Sequence, residues 1–374
     1  MQQNKGFVRN RIKADFLAPD YYKDFKCKGS DCRDSCCVDW KVTISMSQYF
    51  LLHGLNVDKE LKEKIDRTFR PLLNPSQERY AEIVHTYRGN CPLHKDDGYC
   101  LLHERCGEEV LPWVCRYYPR GPKINFQPEV SCANSCEKTL ELLFASNDTI
   151  KFEINNLEFM MNNPRSKATD SETKSYVELR NKIFVILSNR KFLLKDRIMI
   201  LRSFLLSKEN YLSEVGNESG VFKKRVDIDE EFIADYVSLF TGLYPRLDEQ
   251  LTEASVVYEN NKYEELLDSF NLIVTNQEVF FEKMLVNDLF FKQFPYQVNF
   301  PVEGQVLALV ATYFLLRYIS IALMKNQNNI EGFIDIVSKT FTVTAHSVFD
   351  RQIANLMREK NLIDHNSLIK ILSF

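Results

Sequence analysis

Apolar residues recur at helical spacing through the second half of the chain. Tyr176, Leu179, Ile183, Ile186 and Leu187 form one stripe, and Phe192, Leu194, Ile198, Leu201 and Leu205 form another. Side chains three and four positions apart share a helix face, so each stripe predicts a helix with one side turned to a core. Further helices are predicted over 229–243, 262–269, 278–291, 303–324, 330–341, 348–359 and 367–374. The run Val306–Met324 approaches the roughly 20 apolar residues that cross a bilayer. It carries Arg317, and a central arginine costs at least about 2.5 kcal/mol on insertion. A helix buried in a bundle explains the run better, and no membrane span is expected.

The first third has a different texture. Pro92, Gly98, Gly107, Pro112, Pro119, Gly121, Pro122 and Pro128 interrupt it, which predicts short loops and turns. Helices are predicted there over 44–55 and 58–69, the second capped by Asp58 with Leu61, Ile65 and Phe69 on one face. Residues 155–175 are polar and read as a linker. The fold class that follows is mainly α: a loop-rich, cysteine-bearing metal-binding domain over residues 1–150, packed on an all-α helical domain over 151–374.

Composition narrows the function. In 374 residues, 48 lysines and arginines against 51 aspartates and glutamates leave a net charge of −3. No bulk cationic field is available to gather nucleic acid, which is excluded as the default partner. Charges scattered through the first sixteen residues leave no signal-peptide core, so a cytoplasmic location is expected.

All ten cysteines lie between Cys27 and Cys136, and Glu137 to Phe374 contains none. The first group, Cys27, Cys32, Cys36 and Cys37, is spaced C-x4-C-x3-C-C; the second holds Cys91, Cys100 and Cys106; the third holds Cys115, Cys132 and Cys136. In a reducing compartment such density favours metal ligation over disulfides. A region poor in apolar elements also gains cross-links from thiolate ligation. Three chemistries remain open. Cys91 with His94 and Cys100 with His103 have the pair spacing of a zinc site, irregular loops of thiolates suit an iron–sulfur cluster, and buried free cysteines act as small hydrophobes.

At CKGSDCRDSCCVDWKVTIS, CPLH, DGYCLLH, GEEVLPWVCRYYPR, SC and, in the cysteine-free half, EKMLVNDLFFKQFPY, the chain resembles the flagellin lysine-N-methylase family. The cysteine pattern is also similar to that of a wider group of small iron- or zinc-binding proteins. The resemblance implies methyl transfer from S-adenosylmethionine to flagellin lysines by a protein holding a four-iron, four-sulfur (4Fe-4S) cluster, with zinc as the alternative metal. By position it implies Cys27, Cys32, Cys36, Cys37, Cys91, Cys100, Cys115 and Cys132 as metal ligands. Cys106 and Cys136 fit the family pattern least and are left out. Eight thiolates exceed the need of one cluster, so a subset, two sites, or supporting roles are all open. The competing reading is a non-catalytic zinc or iron–sulfur module whose helical domain docks a partner.

Neither well-known class of S-adenosylmethionine enzyme is visible in the chain. There is no G-x-G turn after a strand, and Cys32, Cys36 and Cys37 give C-x3-C-C where a radical enzyme has C-x3-C-x2-C. Lysine nitrogen attacks only when neutral, and its reference pKa is about 10.4, so groups that aim or deprotonate the amine are needed. Among the tyrosines flanking the cysteines, Tyr21, Tyr22, Tyr117 and Tyr118, the last two are taken as catalytic candidates, and packing is the alternative. Arg116 and Arg120 either hold the cofactor carboxylate, steady a thiolate cluster, or pair with Glu108 and Glu109. Trp40 and Trp113 either stack on the sulfonium as cofactor-binding residues or shield a cluster. Glu282 and Asn287 lie five apart and read as buried packing contacts.

Overall fold

The computed structural model describes residues 10–38, 42–87, 89–161, 168–207 and 229–374. Five strands run in chain order: β1 (Asn10–Pro19), β2 (Thr43–Ile44), β3 (Phe69–Pro71), β4 (Ala81–Ile83) and β5 (Phe152–Met161). The front of the chain carries helices α1 (Met46–His53), α2 (Lys59–Thr68), α3 (Leu101–Cys106), α4 (Trp113–Tyr117) and α5 (Glu137–Phe144). Then come α6 (Asp170–Leu187), α7 (Leu194–Ser207), α8 (Glu230–Ser238), α9 (Pro245–Glu259) and α10 (Tyr263–Ile273). The chain closes with α11 (Gln277–Lys292), α12 (Val302–Leu323), α13 (Ile330–His346), α14 (Phe349–Glu359) and α15 (His365–Ser373). The mainly α class is what the helical stripes predicted.

Helix α12 is the axis of the bundle. Every residue from Gly304 to Leu323 is buried, and α7, α9, α13, α14 and α15 pack around it. The candidate membrane-spanning run is thus a core helix, 94% of it covered by protein. Arg317 is tolerated there because its guanidinium donates to Gln277 Oε1 at 2.9 Å and to the Phe374 carbonyl at 3.2 Å. A paired buried charge escapes most of the penalty an isolated one carries. A second buried charge group lies where α6, α7 and α11 meet. Glu282 accepts from Arg190 Nε and Nη2 at 2.9 and 2.8 Å and from Arg197 Nη1 at 2.6 Å.

Two expectations need correction. The expected linker over 155–175 is in large part regular structure: Asn155–Met161 belongs to β5, and Asp170–Ser175 opens α6, capped by Thr169 and Glu172 in a reciprocal box, while 162–167 lie outside the described residues. Strand β5 pairs antiparallel with β1, from Asn10 opposite Met161 to Pro19 opposite Phe152. The ribbon buries only its inner face, where Phe16 meets Phe159 edge to face at 5.1 Å, so its polar positions face water. Helix α9 was not foreseen, because Pro245 opens it and Asp248, Glu249 and Glu253 interrupt the apolar pattern. Proline at the first helical position costs nothing, and Leu247, Leu251 and Ala254 still make one buried face.

A second, smaller core sits inside the front portion. Ile44, Leu52, Leu61, Ile65, Phe69, Leu93 and Leu102 close on one another beneath the three-stranded sheet β2–β4–β3. Asp58 caps α2 by accepting from Leu61 N at 3.0 Å, as its sequence indicates. Tyr21, Tyr22, Tyr117 and Cys132, also from the front portion, join the main core with the helices.

Candidate functional site

The thiol-bearing loops are stitched together by backbone. Cys91 N–H donates to the Cys37 carbonyl at 2.9 Å, and Val38 bridges Asn90, so the first and second cysteine motifs run side by side. Gly98, at φ +85°, brings the two closer still. A Cβ there would stand 2.9 Å from Ser30 Cα, and the left-handed backbone favours glycine anyway. Arg120 bridges Cys132, which joins the two parts of the third motif, CRYYPR and SCANSC.

The whole assembly is seated on the helices. Lys28 reaches Glu137 and Glu141 at 2.5 and 2.9 Å, and Arg33 Nε reaches Asp335 of α13 at 2.8 Å. Glu137 also accepts from the backbone of Arg33 and Asp34 at 2.9 and 3.3 Å. The first motif therefore lies in the seam between α5 and α13.

Nine of the ten sulfurs lie near enough to influence one another. Cys115 feels Cys37, Cys91 and Cys100. Cys32 feels Cys136 and Cys27, and Cys132 feels Cys136. Cys36 stands between the two sets, next to Cys37, Cys115 and Cys27. Desolvation pushes Cys91 and Cys32 up to about 12 and raises Cys115, Cys132 and Cys136 as well. The adjacent Cys36 and Cys37 share a proton: a hydrogen bond between them brings Cys37 down to about 7 and drives Cys36 up. Several sulfurs are met by backbone N–H groups: Cys27 by Gly29 at 3.4 Å, Cys91 by Leu93 and His94, Cys100 by Leu102 and His103, and Cys136 by Lys138 and Thr139. Such donors favour the ionised, ligating form of a thiol.

Donor chemistry thus fits a thiolate-bound metal, and the spacing does not. Among the described residues no three His, Cys, Asp or Glu side chains are arranged to hold a metal ion. His94, half of the possible zinc pair, has its Nε2 at 3.4 Å from Ser35 Oγ. Cys136, left out of the sequence reading, belongs among the neighbours of Cys27, Cys32 and Cys132; its C-x3-C spacing from Cys132 was the available signal.

The remaining candidates separate. Tyr117 turns inward, its hydroxyl accepting from Met160 N at 3.0 Å and its ring against Trp113 at 4.5 Å. Arg116 is held by Glu109 at 2.9 Å and Glu108 at 3.4 Å, the ion-pair alternative of the sequence reading. Arg120 stacks over Phe25 at 5.0 Å and favours the ionised form of Cys132, which fits a thiolate-steadying role. Trp40 lies outside the described residues. The Tyr118 hydroxyl is 3.0 Å from Ser135 Oγ, which is in turn 2.6 Å from His346 Nε2 on α13.

Asn287 of α11 is more than a packing contact. It accepts from Tyr21 Oη at 2.7 Å and donates to the Cys132 carbonyl at 2.8 Å and to Asn134 Oδ1 at 2.6 Å. Asn134 in turn donates to the Met284 carbonyl at 2.8 Å. The EKMLVND segment is thereby bound to the SCANSC loop, two motifs far apart in the chain.

A thiol-rich portion seated on a helical bundle, with the bundle carrying a methylase-type domain, defines the class: residues 180–371 match the FliB lysine N-methylase C-terminal domain. The chain belongs to the FliB lysine N-methylase family. It is similar to the Lysine-N-methylase of Salmonella typhimurium (strain LT2), 32% identical over 111 residues, which are 28% of this chain and 25% of that protein. It is likewise similar to the Flagellar biosynthetic protein FliU of Salmonella muenchen, 31% identical over 111 residues, 28% of this chain and 60% of that one. The matched stretch spans a quarter of the length of the curated methylase. No solved structure matches the chain.

Proposed function

We propose that this chain transfers a methyl group from S-adenosylmethionine to the ε-amine of lysines on flagellin, in the cytoplasm, and that its front-portion thiols hold an iron–sulfur cluster. The observation that carries the reading is the family match across the helical bundle; a relative named for flagellar biosynthesis supports a flagellar substrate. Sulfurs gathered from three motifs, several of them met by backbone N–H groups, support the metal.

The test is incubation of the full chain, purified without oxygen, with flagellin from the same organism and methyl-labelled S-adenosylmethionine. Label is expected in lysine of the flagellin. Absence of label there, with the protein folded, overturns the assignment. Iron and acid-labile sulfide measured on the same preparation address the metal: zinc alone, or no metal, removes the cluster from the proposal.

A further inference from the structure

We propose that the cavity at the β3–β4 hairpin binds the methyl donor, with Arg79 receiving its carboxylate and Glu82 its ribose hydroxyls. The inference rests on the S-adenosylmethionine-dependent methylation proposed above and gives the donor a place on the chain. The cavity measures about 790 Å³ and is lined by the two strands and the loop that joins them. Its mouth is open, since Pro71, Leu73, Ser76 and Arg79 are all exposed. Ligand pockets run from about 300 to 1,000 Å³, so an adenosyl amino acid has room there.

The loop fixes its backbone and leaves its charges uncommitted. Leu72 N donates to the Tyr80 carbonyl and Ser76 N to the Arg79 carbonyl, both at 2.9 Å, and Arg79 N donates to Ser76 Oγ at 3.1 Å. Those bonds hold the chain at Arg79 while its side chain stays in solvent, and no carboxylate among the described residues pairs with it. Arg70 is different: it stands opposite Glu82 across the strands, with Nη2 at 3.3 Å from Glu82 Oε1. That pair is neutral as a unit, and a carboxylate so engaged keeps its second oxygen to accept with. The lining thus offers one unpaired cation and one accepting carboxylate oxygen beside Pro71 and Leu73, the latter an apolar side chain wholly in water.

Each of these groups has a counterpart in the donor. A guanidinium takes a carboxylate through two parallel N–H bonds, an acidic side chain accepts from ribose hydroxyls, and an exposed leucine beside a proline gains by covering a purine. With Arg70 offset by Glu82 and Arg79 by the donor's own carboxylate, the sulfonium meets no unbalanced positive charge. Two cavities along α9, about 660 and 230 Å³, present Asp248, Glu249, Glu253 and Glu259 with no lysine or arginine, so they have nothing for the carboxylate. Arg116, the sequence's candidate for that contact, is taken by Glu109 and Glu108, and Arg120 lies over Phe25. An open mouth suits a lysine delivered on the surface of another protein.

Calorimetric binding of S-adenosylhomocysteine, the demethylated donor, would be measured on the full chain purified without oxygen, for wild type, R79A, R79K, R70A/E82A and E253Q, each with its melting temperature. R79A is expected to raise Kd about 10- to 100-fold, the loss of a charge-assisted bond. R79K, which keeps the charge and loses the fork, is expected to recover part of it. R70A/E82A removes the pair together, leaves no stray charge, and is expected to raise Kd about 3- to 10-fold. E253Q, from the α9 cavity, is expected to match wild type. Hydrogen exchange gives a second reading: amides over 70–82 are expected to slow when the ligand is added to wild type. Wild-type binding with R79A within about twofold of it, or with exchange over 70–82 unchanged, overturns the hairpin site alone. A folded wild-type chain that binds neither S-adenosylhomocysteine nor S-adenosylmethionine overturns the functional reading and the site with it.

Discussion

Replacing Asn287 with alanine removes three hydrogen bonds from a place water does not reach. Tyr21 loses its acceptor at 2.7 Å, Asn134 Oδ1 its donor at 2.6 Å and the Cys132 carbonyl its donor at 2.8 Å. Tyr21 can turn its proton to the Cys132 carbonyl at 3.4 Å, a long contact that rescues part of two losses. Asn134 Oδ1 has no such recourse. Each buried polar group left unpaired costs about 1–3 kcal/mol, so the variant should lose about 2–4 kcal/mol. Y21F, which removes the donor to Asn287 and also the acceptor of the Cys132 N–H at 3.2 Å, should lose about 1–3 kcal/mol. Urea unfolding of reduced, full-length protein reads both values. Iodoacetamide labelling followed by mass spectrometry gives an independent reading, because Cys132 is fully buried in the wild type and should label faster in the variant. A loss below about 0.5 kcal/mol, with Cys132 still protected, would refute the claim that this network binds the SCANSC loop to α11.

E282Q leaves Arg197 buried against a neutral amide and should cost about 3–5 kcal/mol in urea unfolding, whereas E282L combined with R197M should cost less than the sum of the single changes. His346 stays neutral in the fold down to about pH 4, while the unfolded chain takes up the same proton near its ordinary value of 6.5. The unfolded state therefore binds more protons in that window, and stability should fall as pH drops from about 6.5 to about 4; H346Q should flatten this part of the urea-midpoint profile. G98A forces a Cβ to 2.9 Å from Ser30 Cα at a left-handed backbone position. It should lower the melting temperature and speed alkylation of Cys91 and Cys100, and unchanged labelling would show that the two loops do not depend on that approach.

The sequence was informative wherever one local rule acted alone. Asp58 announces α2 because an N-cap needs only a side-chain oxygen three residues before a free amide. Arg317 argued against a membrane, and the structure shows its partners. Strand β5 stayed hidden because a two-stranded ribbon exposes most of one strand, and its polar Glu153, Asn155 and Asn156 look like loop. Clustering of sulfur could be read from spacing, the C-x3-C step from Cys132 to Cys136 included, whereas the nearness of Cys136 to Cys32 could not, since it depends on how the fold brings the first and third motifs together. Ser135 and His346 carry no local signal, because their pairing is created only when α13 comes to rest against the front portion.

The β1–β5 ribbon brings Pro19 opposite Phe152, so the polypeptide between them departs and returns through a single gate. A protease that nicks the tip at Leu73, whose side chain is wholly in solvent, would sever the covalent path without parting the pieces. Ten residue pairs on the clasp, together with the amide lattice around Asn287, would keep the two fragments travelling as one particle on a sizing column.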